Sequence, residues 1–487
     1  MRQSFLAFTL GAFVCFTLAA CGSSSSSTQT TSNPPPAGAV PTSISIHDNP
    51  PSGVTILQFE LQVTAATLQP ATAGQPPVPM LTGPQEVELE HLQTESALLA
   101  NTMVPPGPYS GLSVTFASPQ MTIFNQSNQT LTVGGQNCPS MQICELTPTL
   151  NQMMVTIQAP TAPFPVTLSA ESPLAFLLHF DVNASVQGDL SITPMVDLTQ
   201  LPLNPQAVPE HEHVTGIVTA VSSPNFTLLA GPGAQSLNIT TDGNTMYRFD
   251  GSCPADNFSC IAVGQVLRVK LNVMSGGGLD ATQVRMLEPQ GHPAFEGIIV
   301  ATNAAQDQFQ IVVNDRQCDD PRCQSVSVGA PVTVQLSPSS TFSIDTDGIT
   351  LPSGLTFATV QDLVIGQVVE FQPQLPVTVT GTPPNVQITA NASSVQLEPS
   401  QITATVSAVN AMAAPPNFIL NGLPPLFTGG GITMIQVDTV SGTDFENVNG
   451  IGALAPGQTV SVAGLLFNTA TQPTVVASEV KLRHQDD

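Results

Sequence analysis

Short stretches in which apolar and polar residues alternate run through residues 39–203. The clearest is residues 56–63, whose apolar positions are Leu57, Phe59, Leu61 and Val63 and whose intervening positions are Gln58, Glu60 and Gln62. Similar runs occur at residues 112–116, 129–133, 153–158 and 191–196. A period of two is typical of strands that bury one face. The pattern therefore predicts a set of half-buried strands separated by Gly- and Pro-rich turns.

One segment of this region lacks the usual turn residues. Residues 85–104 contain neither Gly nor Pro. We expect a strand through Val87 and Leu89, followed by one short helix over residues 94–99.

An internal repeat with three copies follows from Val214 onward. Each copy has an opening strand, an aromatic strand, a Thr before an aromatic residue, a Gly-Gln turn and a closing strand. The Gly-Gln turns lie at residues 264–265, 366–367 and 457–458, and the closing strands at 281–284, 392–395 and 477–480. Five or six short strands make a small closed barrel, and closure removes exposed sheet edges. The repeat therefore predicts three small barrels.

Together these patterns predict an all-β protein with little helix: an N-terminal antiparallel β-sandwich followed by a string of three small β-barrel repeats. The predicted divisions are a signal peptide (1–20), a lipidated Ser/Pro-rich linker (21–38), the β-sandwich domain (39–205) and barrel repeats at 210–290, 293–399 and 400–487. Pro (45) and Gly (36) are abundant, as a loop-rich β protein requires.

The N-terminal residues have the three parts of an export signal. Arg2 precedes an uncharged run that ends in Leu18-Ala19-Ala20-Cys21, and this run is too short for a permanent membrane helix. The ending resembles the lipobox of bacterial lipoproteins. That resemblance implies cleavage before Cys21, acylation with chains such as palmitate, and anchoring in a lipid bilayer. The residue after Cys21 is Gly22 rather than Asp, and this resembles the pattern of lipoproteins that are sent on to the outer membrane. The alternative is an ordinary cleaved signal.

Two family resemblances cover the rest of the chain. Four motifs resemble a bacterial domain of unknown function found behind lipoprotein signals, namely Ser45-Ile-His-Asp48, Val104-Pro-Pro-Gly-Pro-Tyr109, His179-Phe-Asp181 and Ile192-Thr-Pro194. That resemblance implies a β-sandwich over about residues 40–205. The three repeats resemble a second bacterial family of unknown function, built as tandem OB-like β-barrels. Neither resemblance implies a catalytic residue.

The charge balance excludes two classes of partner. The chain has 9 Lys and Arg against 34 Asp and Glu, and no Lys or Arg lies between Arg2 and Arg248. Nucleic acid needs a basic surface for its phosphates, and so does electrostatic binding to anionic lipids. We therefore expect no nucleic-acid partner, and we interpret the dispersed acidic residues as a source of solubility.

Six cysteines form three local couples beyond Cys15 in the signal and Cys21. The couples are Cys138 with Cys144, Cys253 with Cys260, and Cys318 with Cys323. Their spacing does not fit the usual zinc ligand pattern, whereas an exported protein favours disulfides. We predict three short-loop disulfides, each worth at most about 3 kcal/mol.

No motif for catalysis or cofactor binding is present. Three weak candidates have simpler explanations. His211 and His213 could begin a metal site, but they are better explained as part of a domain junction. The acidic pairs Asp319-Asp320 and Asp345-Asp347 are more typical of turns than of calcium loops. Asp181, close to His179, is better explained as a cap of backbone N–H groups. We therefore predict no catalytic, cofactor or metal site.

These expectations combine into one functional hypothesis: a non-catalytic lipoprotein of the cell envelope with a binding or scaffolding role. Its ligand would be an envelope protein or a glycan. The alternative is a carbohydrate-binding accessory protein of the cell surface, although such sites usually need exposed aromatic rings, and the chain has no Trp and only Tyr109 and Tyr247. An enzyme with an unfamiliar site is a third hypothesis.

Overall fold

The structure, a computed structural model, describes most of the chain from Val40 onward. The described residues are 40–49 (backbone), 55–89, 96–127, 129–169, 174–202, 211–230, 235–249, 253, 255–274, 277–286, 293–318, 321–323, 325–346, 348–381 and 386–483. The predictions for the signal peptide, the linker and Cys21 fall outside these residues. Those described belong to one compact unit whose regular secondary structure is nearly all strand, which confirms the all-β class with little helix.

In the described part of residues 40–202, the chain forms thirteen strands and one short α-helix. They are β1 (Val40–Asn49), β2 (Ile56–Pro70), β3 (Val78–Pro79), β4 (Gln85–Glu88), β5 (Ala97–Val104), β6 (Gly107–Asn125), β7 (Leu131–Val133), β8 (Gln136–Cys138), β9 (Gln142–Leu146), β10 (Met154–Gln158), β11 (Val166–Leu168), β12 (Leu174–Asp181), α1 (Val182–Ser185) and β13 (Val196–Pro202).

Two sheets of these strands form the sandwich domain. The first has the order β13-β12-β1-β5. The second has the order β10-β6-β2-β3, with β4 also pairing β2, and β9 and β11 also pairing β6. Apolar side chains fill the space between the sheets, and Phe180 lies edge-on to Phe59 and Phe116 with ring centroids 6.1 and 5.7 Å apart. Such edge-to-face packing suits aromatic quadrupoles.

The sandwich differs from the prediction in three places. Ala97–Leu99, expected in a helix, lie in β5 because their backbone pairs with β1. Residues 191–195 are not a strand, since the N–H groups of Thr193 and Met195 donate to Ser185, the last residue of α1. The pair β1–β12 is parallel, so the first sheet is mixed rather than antiparallel.

Three groups of strands form the barrels. Barrel 1 contains β14 (His211–Ser222), β15 (Asn225–Ala230), β16 (Gln235–Thr240), β17 (Met246–Arg248), β18 (Val266–Val273) and β19 (Leu279–Met286). Barrel 2 contains β20 (Ala294–Asn303), β21 (Gln308–Gln317), β22 (Pro331–Gln335), β23 (Thr341–Ile344), β24 (Val368–Thr380) and β25 (Gln387–Glu398). Barrel 3 contains β26 (Ser400–Asn410), β27 (Asn417–Asn421), α2 (Pro425–Gly429), β28 (Ile435–Glu446), β29 (Thr459–Phe467) and β30 (Thr474–Leu482).

Strand pairing is equivalent in the three barrels. Barrel 1 has the order β16-β15-β14-β18-β19-β17 and closes through β16–β19. Barrel 2 has the matching order β22-β21-β20-β24-β25-β23 and closes through β22–β25. In barrel 3 the single strand β28 pairs with β30 in two registers, replacing the two separate strands of the other copies. The repeat seen in the sequence is therefore a repeat of topology.

The Gly-Gln turn has the same geometry in each barrel. Its glycine has a φ of 91°, 90° and 91° at Gly264, Gly366 and Gly457, which non-glycine residues adopt at a cost. The glutamine side chain accepts a hydrogen bond from the backbone N–H of the residue three positions earlier. These bonds are Ala262 N to Gln265 Oε1 (2.6 Å), Val364 N to Gln367 Oε1 (2.7 Å) and Ala455 N to Gln458 Oε1 (2.7 Å).

The sandwich contacts all three barrels. The modules are therefore not arranged as the simple string that the sequence predicts. Asn101 Nδ2 donates to Gly277 O of barrel 1 at 3.0 Å, and Thr122 Oγ1 donates to Gly329 O of barrel 2 at 2.8 Å. A third bond, from Gln126 Nε2 to Pro425 O at 3.1 Å, reaches barrel 3. The described modules therefore hold one another in place.

Candidate functional site at the interface of barrels 1 and 2

Three arginines lie side by side on barrel 1. Arg248, Arg268 and Arg285 occupy β17, β18 and β19, and the strand register pairs Arg285 with each of the other two. Neighbouring positions on adjacent strands bring side chains within reach of one another. Barrel 1 thus presents a row of guanidinium groups, although the whole chain has only 9 Lys and Arg.

Five carboxylates of barrel 2 face this row. They are Glu296 on β20, Asp315 on β21, Asp345 just after β23, Glu370 on β24 and Glu398 on β25. Here too the register sets the cluster, because Glu296 pairs with both Asp315 and Glu370. In the ion pairs between these described residues, the cations come from barrel 1 and the anions from barrel 2.

The guanidinium and carboxylate groups form a network of ion pairs, in which Arg268 holds one set of carboxylates and Arg248 and Arg285 hold another. Arg268 contacts Asp315 and lies 3.2 Å (Nη1 to Oε2) from Glu296. Arg248 contacts Asp345. Arg285 lies 3.4 Å (Nη1 to Oδ2) from Asp345, 3.8 Å (Nη2 to Oε1) from Glu370 and 3.8 Å (Nη1 to Oε1) from Glu398. Because Asp345 contacts two arginines, it links Arg248 at one end of the row to Arg285 in the middle.

Burial gives this network unusual protonation behaviour. The side chains of Arg268 and Glu398 are only 8% and 9% exposed. Burial raises the pKa of Glu398 from 4.5 to about 8, and Arg285 opposes that rise while Glu296 and Glu370 add to it. Burial likewise raises the pKa of Glu370. Burial lowers the pKa of Arg268, but Asp315 and Glu296 outweigh this and hold it above its ordinary value.

The network has two more carboxylates than guanidinium groups. A buried charge without a partner is strongly unfavourable, so a carboxyl group in such a place retains its proton to a higher pH. Burial is the first cause of the raised pKa values of Glu370 and Glu398, and neighbouring carboxylates such as Glu296 add to the rise.

Sequence reasoning missed this network. Asp345 was considered as a turn residue or calcium ligand, and it is an ion-pair partner of Arg248 and Arg285. Asp319, Asp320 and Asp347 lie outside the described residues. The available signal was the clustering of three of the few arginines in the first repeat, at positions that later proved to be neighbours across strands.

The remaining candidate residues do not form a reactive site where they are described. His179 Nε2 lies 3.2 Å from Thr199 Oγ1, and Asp181 caps α1 by accepting the N–H of Ala184 at 2.9 Å. His211 and His213 lie on β14. Within the described ranges, no group of three or more His, Cys, Asp or Glu side chains has the geometry to hold a metal ion.

The six predicted cysteines form three disulfides in the expected couples. Cys138 is bonded to Cys144, Cys253 to Cys260, and Cys318 to Cys323. The Cα atoms are 5.7, 5.8 and 6.5 Å apart, within the range for a disulfide. One bond lies in the sandwich, one in barrel 1 and one in barrel 2. Each closes only a short local loop.

A shallow cleft of about 520 Å³ lies between barrels 2 and 3. Its lining residues are Thr350, Leu351, Pro352, Pro415, Pro416, Thr439, Val440 and Ser441. These supply apolar surface and three hydroxyl-bearing positions, and none of them is titratable or aromatic. In the described part of the chain, no helix combines the length and apolar character needed to span a membrane.

Comparison with known proteins finds one segment of the chain that is similar to a known family. The family model for a domain of unknown function (DUF5666) matches residues 215–285, which comprise most of barrel 1. The OB-like barrel description fits this domain and the barrels that follow it. No curated protein matches the chain. A similar solved structure, drosophila Unr CSD456, has 11% identity over 56% of this chain and 98% of its own, with a TM-score of 0.12, which supports no further conclusion.

Proposed function

We propose that the protein is an exported lipoprotein, anchored in a bilayer through Cys21 and acting as a non-catalytic scaffold at the cell envelope, with the outer membrane as its site. The observation that carries the scaffolding role is the set of buried contacts between modules. Thr122 bonds to barrel 2 at a position 207 residues away, and the arginine row of barrel 1 is enclosed by carboxylates of barrel 2. Modules fixed in this way can hold a bound partner at a constant distance and orientation.

Further support comes from barrels 2 and 3. Leu465, Phe467 and Val476 of barrel 3 belong to the same hydrophobic cluster as the core of barrel 2. A continuous core makes two modules move as one. The partner of such a scaffold would be an envelope protein or a glycan. The cleft between these barrels has no aromatic lining residue, so it adds no support for the carbohydrate-binding alternative.

The anchoring part of this proposal is tested by the intact mass of the processed protein. The full chain is expressed in a bacterium that processes lipoproteins, and membranes are separated from the soluble fraction. We expect an N-terminal Cys21 carrying acyl chains, which bind a bilayer at about 0.8 kcal/mol per buried methylene. Cys21→Ser should lose the acyl mass and leave the membrane fraction, whereas the matched control Cys15→Ser should keep both.

Release of the wild-type protein by mild salt, or an unmodified N-terminus, would contradict the anchor. The scaffold is tested separately with the soluble Cys21→Ser chain. Small-angle X-ray scattering should fit one rigid particle at neutral pH. A profile that requires freely moving modules would contradict the scaffolding role and leave the anchor intact.

A further inference from the structure

Barrel 1 carries an exposed apolar patch on its outer face. Ile217 on β14, Leu229 on β15 and Val263 before β18 are 48%, 39% and 66% exposed. Ile217 and Leu229 are register partners, and a hydrogen bond from Gly264 N to Val218 O (2.8 Å) keeps the neighbouring Val263 beside them. The described part of the chain has five Ile, Leu or Val side chains of such exposure, and three of them form this barrel 1 patch. Clustered apolar exposure marks interaction surfaces, whereas single exposed apolar residues do not.

The equivalent positions of barrel 2 are covered by other modules. They have the same register pairing and the same turn hydrogen bond, and they are Ile298, Val312 and Ile365. All three pack in one apolar cluster with Leu57 of the sandwich and Leu426 of α2 in barrel 3. This face of the repeat is therefore a docking face where a neighbouring module reaches it.

An aromatic ring completes the docking at barrel 2. The ring of Phe427, next to Leu426 in α2, lies so close to Gly366 that a Cβ at Gly366 would overlap it. Gly264 has the equivalent place in barrel 1, with a φ of 91° against 90° at Gly366. A Cβ at Gly264 would meet no described atom within 4 Å. Barrel 1 therefore has the same glycine surface for a ring, and that surface is exposed.

Barrel 3 shows that the repeat itself does not require apolar residues at these positions. Its equivalents, with the same register pairing and the same turn hydrogen bond, are Thr405, Asn421 and Pro456. Asn421 and Pro456 are exposed, so the polar version of this face is the uncovered one. Barrel 1 combines the apolar residues of barrel 2 with the exposure of barrel 3.

We propose that the barrel 1 patch is a docking site for a short apolar segment of a cationic partner protein. The segment places an aliphatic and an aromatic side chain on barrel 1 as α2 places Leu426 and Phe427 on barrel 2. Short segments with two or three apolar anchors are a common way for one protein to bind another. This inference rests on the scaffolding role proposed above and deepens it, because it names the surface and the chemistry by which the scaffold holds its partner.

A second copy of the chain fits the patch less well than a different protein does. Leu57, Leu426 and Phe427 are buried in their own chain, so another copy does not offer the groups that cover barrel 2. Two copies would also repel each other, because each has a formal net charge of −25.

Charge complementarity favours a cationic partner. The arginine row of barrel 1 is engaged by carboxylates of barrel 2. The other charged side chains described in barrel 1 are mostly acidic, namely Asp242, Asp256 and Asp280 against Lys270. A partner with Lys or Arg around its apolar residues would therefore be steered towards this barrel.

The probe for this site is a fluorescently labelled peptide with the sequence of residues 423–430, Leu-Pro-Pro-Leu-Phe-Thr-Gly-Gly, preceded by a pair of added lysines. Its fluorescence polarisation is measured against the full Cys21→Ser chain. We expect saturable binding. The peptide with Phe427→Ala should bind about tenfold or more weakly, because a buried ring supplies much of the affinity of such a contact. Replacing the added lysines by Asp should weaken binding at low salt, and the difference should shrink at high salt.

Protein variants test whether the peptide binds at the barrel 1 patch. Ile217→Thr combined with Leu229→Asn installs the residues of barrel 3 and should weaken binding about tenfold or more, because the apolar area under the peptide is lost. Val379→Thr is the matched control, since Val379 is a similarly exposed valine of barrel 2, and it should bind as the parent does. Gly264→Ala should block the ring, whereas Gly457→Ala, at the same φ in barrel 3, should not.

Three outcomes would overturn the proposal. The first is no binding at peptide concentrations up to about 1 mM, and the second is equal binding by the parent and by the chain with Ile217→Thr and Leu229→Asn. The third is a dimer of the parent chain that this double variant abolishes, which would assign the patch to a second copy. Equal binding of the lysine and Asp peptides would overturn the cationic partner.

The design also separates this proposal from the others. Phe427→Ala in the peptide leaves the protein unchanged, so it gives a decision even if a protein variant fails to fold. A failure of peptide binding would alter neither the acyl mass at Cys21 nor the scattering profile of the rigid particle. The anchor and the rigid scaffold are therefore judged by their own measurements.

Discussion

Barrel 2 has two neighbours of the same topology, and it contacts them by opposite means. Its contact with barrel 1 is a buried network of arginines and carboxylates. Its contact with barrel 3 is apolar and neutral: Phe467 and Leu465 of barrel 3 extend the core of barrel 2, Gln367 Nε2 donates to Leu466 O at 2.8 Å, and Val368 N donates to Ser400 Oγ at 2.9 Å. The repeat therefore conserves topology within this chain while its outer faces differ.

The two contacts differ in how much their stability depends on pH. Apolar burial stabilises by about 25 cal/mol per Å² and does not respond to pH. A buried ionic contact must offset the desolvation of its charges, and its net contribution changes when any member gains or loses a proton. We therefore expect the contact of barrels 2 and 3 to be permanent and that of barrels 1 and 2 to be conditional.

The largest expected effect comes from Arg268→Met. This change leaves Glu296 and Asp315 without their guanidinium partner. Removing one member of a buried ion pair typically destabilises by about 3–5 kcal/mol. We expect a loss of that size at pH 8, measured as the urea dependence of hydrogen exchange in residues 266–286. At pH 5 the loss should be smaller, because the raised pKa values of Glu370 and Glu398 keep more of these neighbouring carboxyl groups protonated and fewer negative charges then depend on Arg268.

An equal loss at pH 5 and pH 8 would show that Arg268 acts mainly through the packing of its aliphatic stem. Arg483→Met is a suitable comparison variant, because Arg483 lies in barrel 3, where its Nε donates to Ser461 Oγ at 2.8 Å. It should leave the exchange of residues 266–286 unchanged at both pH values.

The next effect in size concerns the apolar contact. Gly366 has a φ of 90°, and a Cβ at this position would overlap the ring of Phe427 in α2 of barrel 3. Gly366→Ala should therefore add overpacking to backbone strain and cost about 3 kcal/mol in total. Gly457→Ala is the matched control, since Gly457 has a φ of 91° with nothing within 4 Å of its Cβ position. It should cost about 1–2 kcal/mol from strain alone.

The two contacts can then be compared directly by urea unfolding at pH 5 and pH 8. The difference between Gly366→Ala and Gly457→Ala isolates the overlap with Phe427, and we expect it to be the same at both pH values. A difference that grows with pH would mean that the contact of barrels 2 and 3 also senses ionisation, and the contrast between the two contacts would be lost.

Much of the fold could be predicted because it depends on local periodicity and on repetition. The Gly-Gln turns were visible as a repeated dipeptide, and each has the same bonds in the structure. The alternation in residues 56–63 located a strand, but one face was misassigned. The register of β2 with β6 shifts between Ile56 and Gln58, and this bulge directs Leu57 away from the sandwich core into a cluster with Val300 and Val312 of barrel 2.

The charged network could not be predicted for a different reason. Its members come from strands separated by up to 150 positions, from Arg248 to Glu398. Strand register within each barrel and docking between barrels must both be known before these side chains become neighbours. A scarcity of arginine is visible in the sequence, whereas the concentration of three arginines on one barrel face requires the three-dimensional structure.

The smallest predicted effect lies where the sandwich meets barrel 2. Thr122 Oγ1 donates to Gly329 O at 2.8 Å, while the nearby Gln58 is 1% exposed and its Nε2 has no hydrogen-bond partner among the described residues. Thr122→Val should cost about 1 kcal/mol, because it leaves a buried carbonyl without its donor.

Gln58→Met keeps a similar volume and removes a buried amide that lacks one partner, so it should be neutral or slightly stabilising. The urea midpoint of Thr122→Val should therefore fall, whereas that of Gln58→Met should stay the same or rise slightly. A large loss in Gln58→Met would show that its amide oxygen, 3.2 Å from the Cβ position of Gly329, holds this contact together. The sandwich contact would then rank with the ionic one as a polar contact rather than with the apolar one.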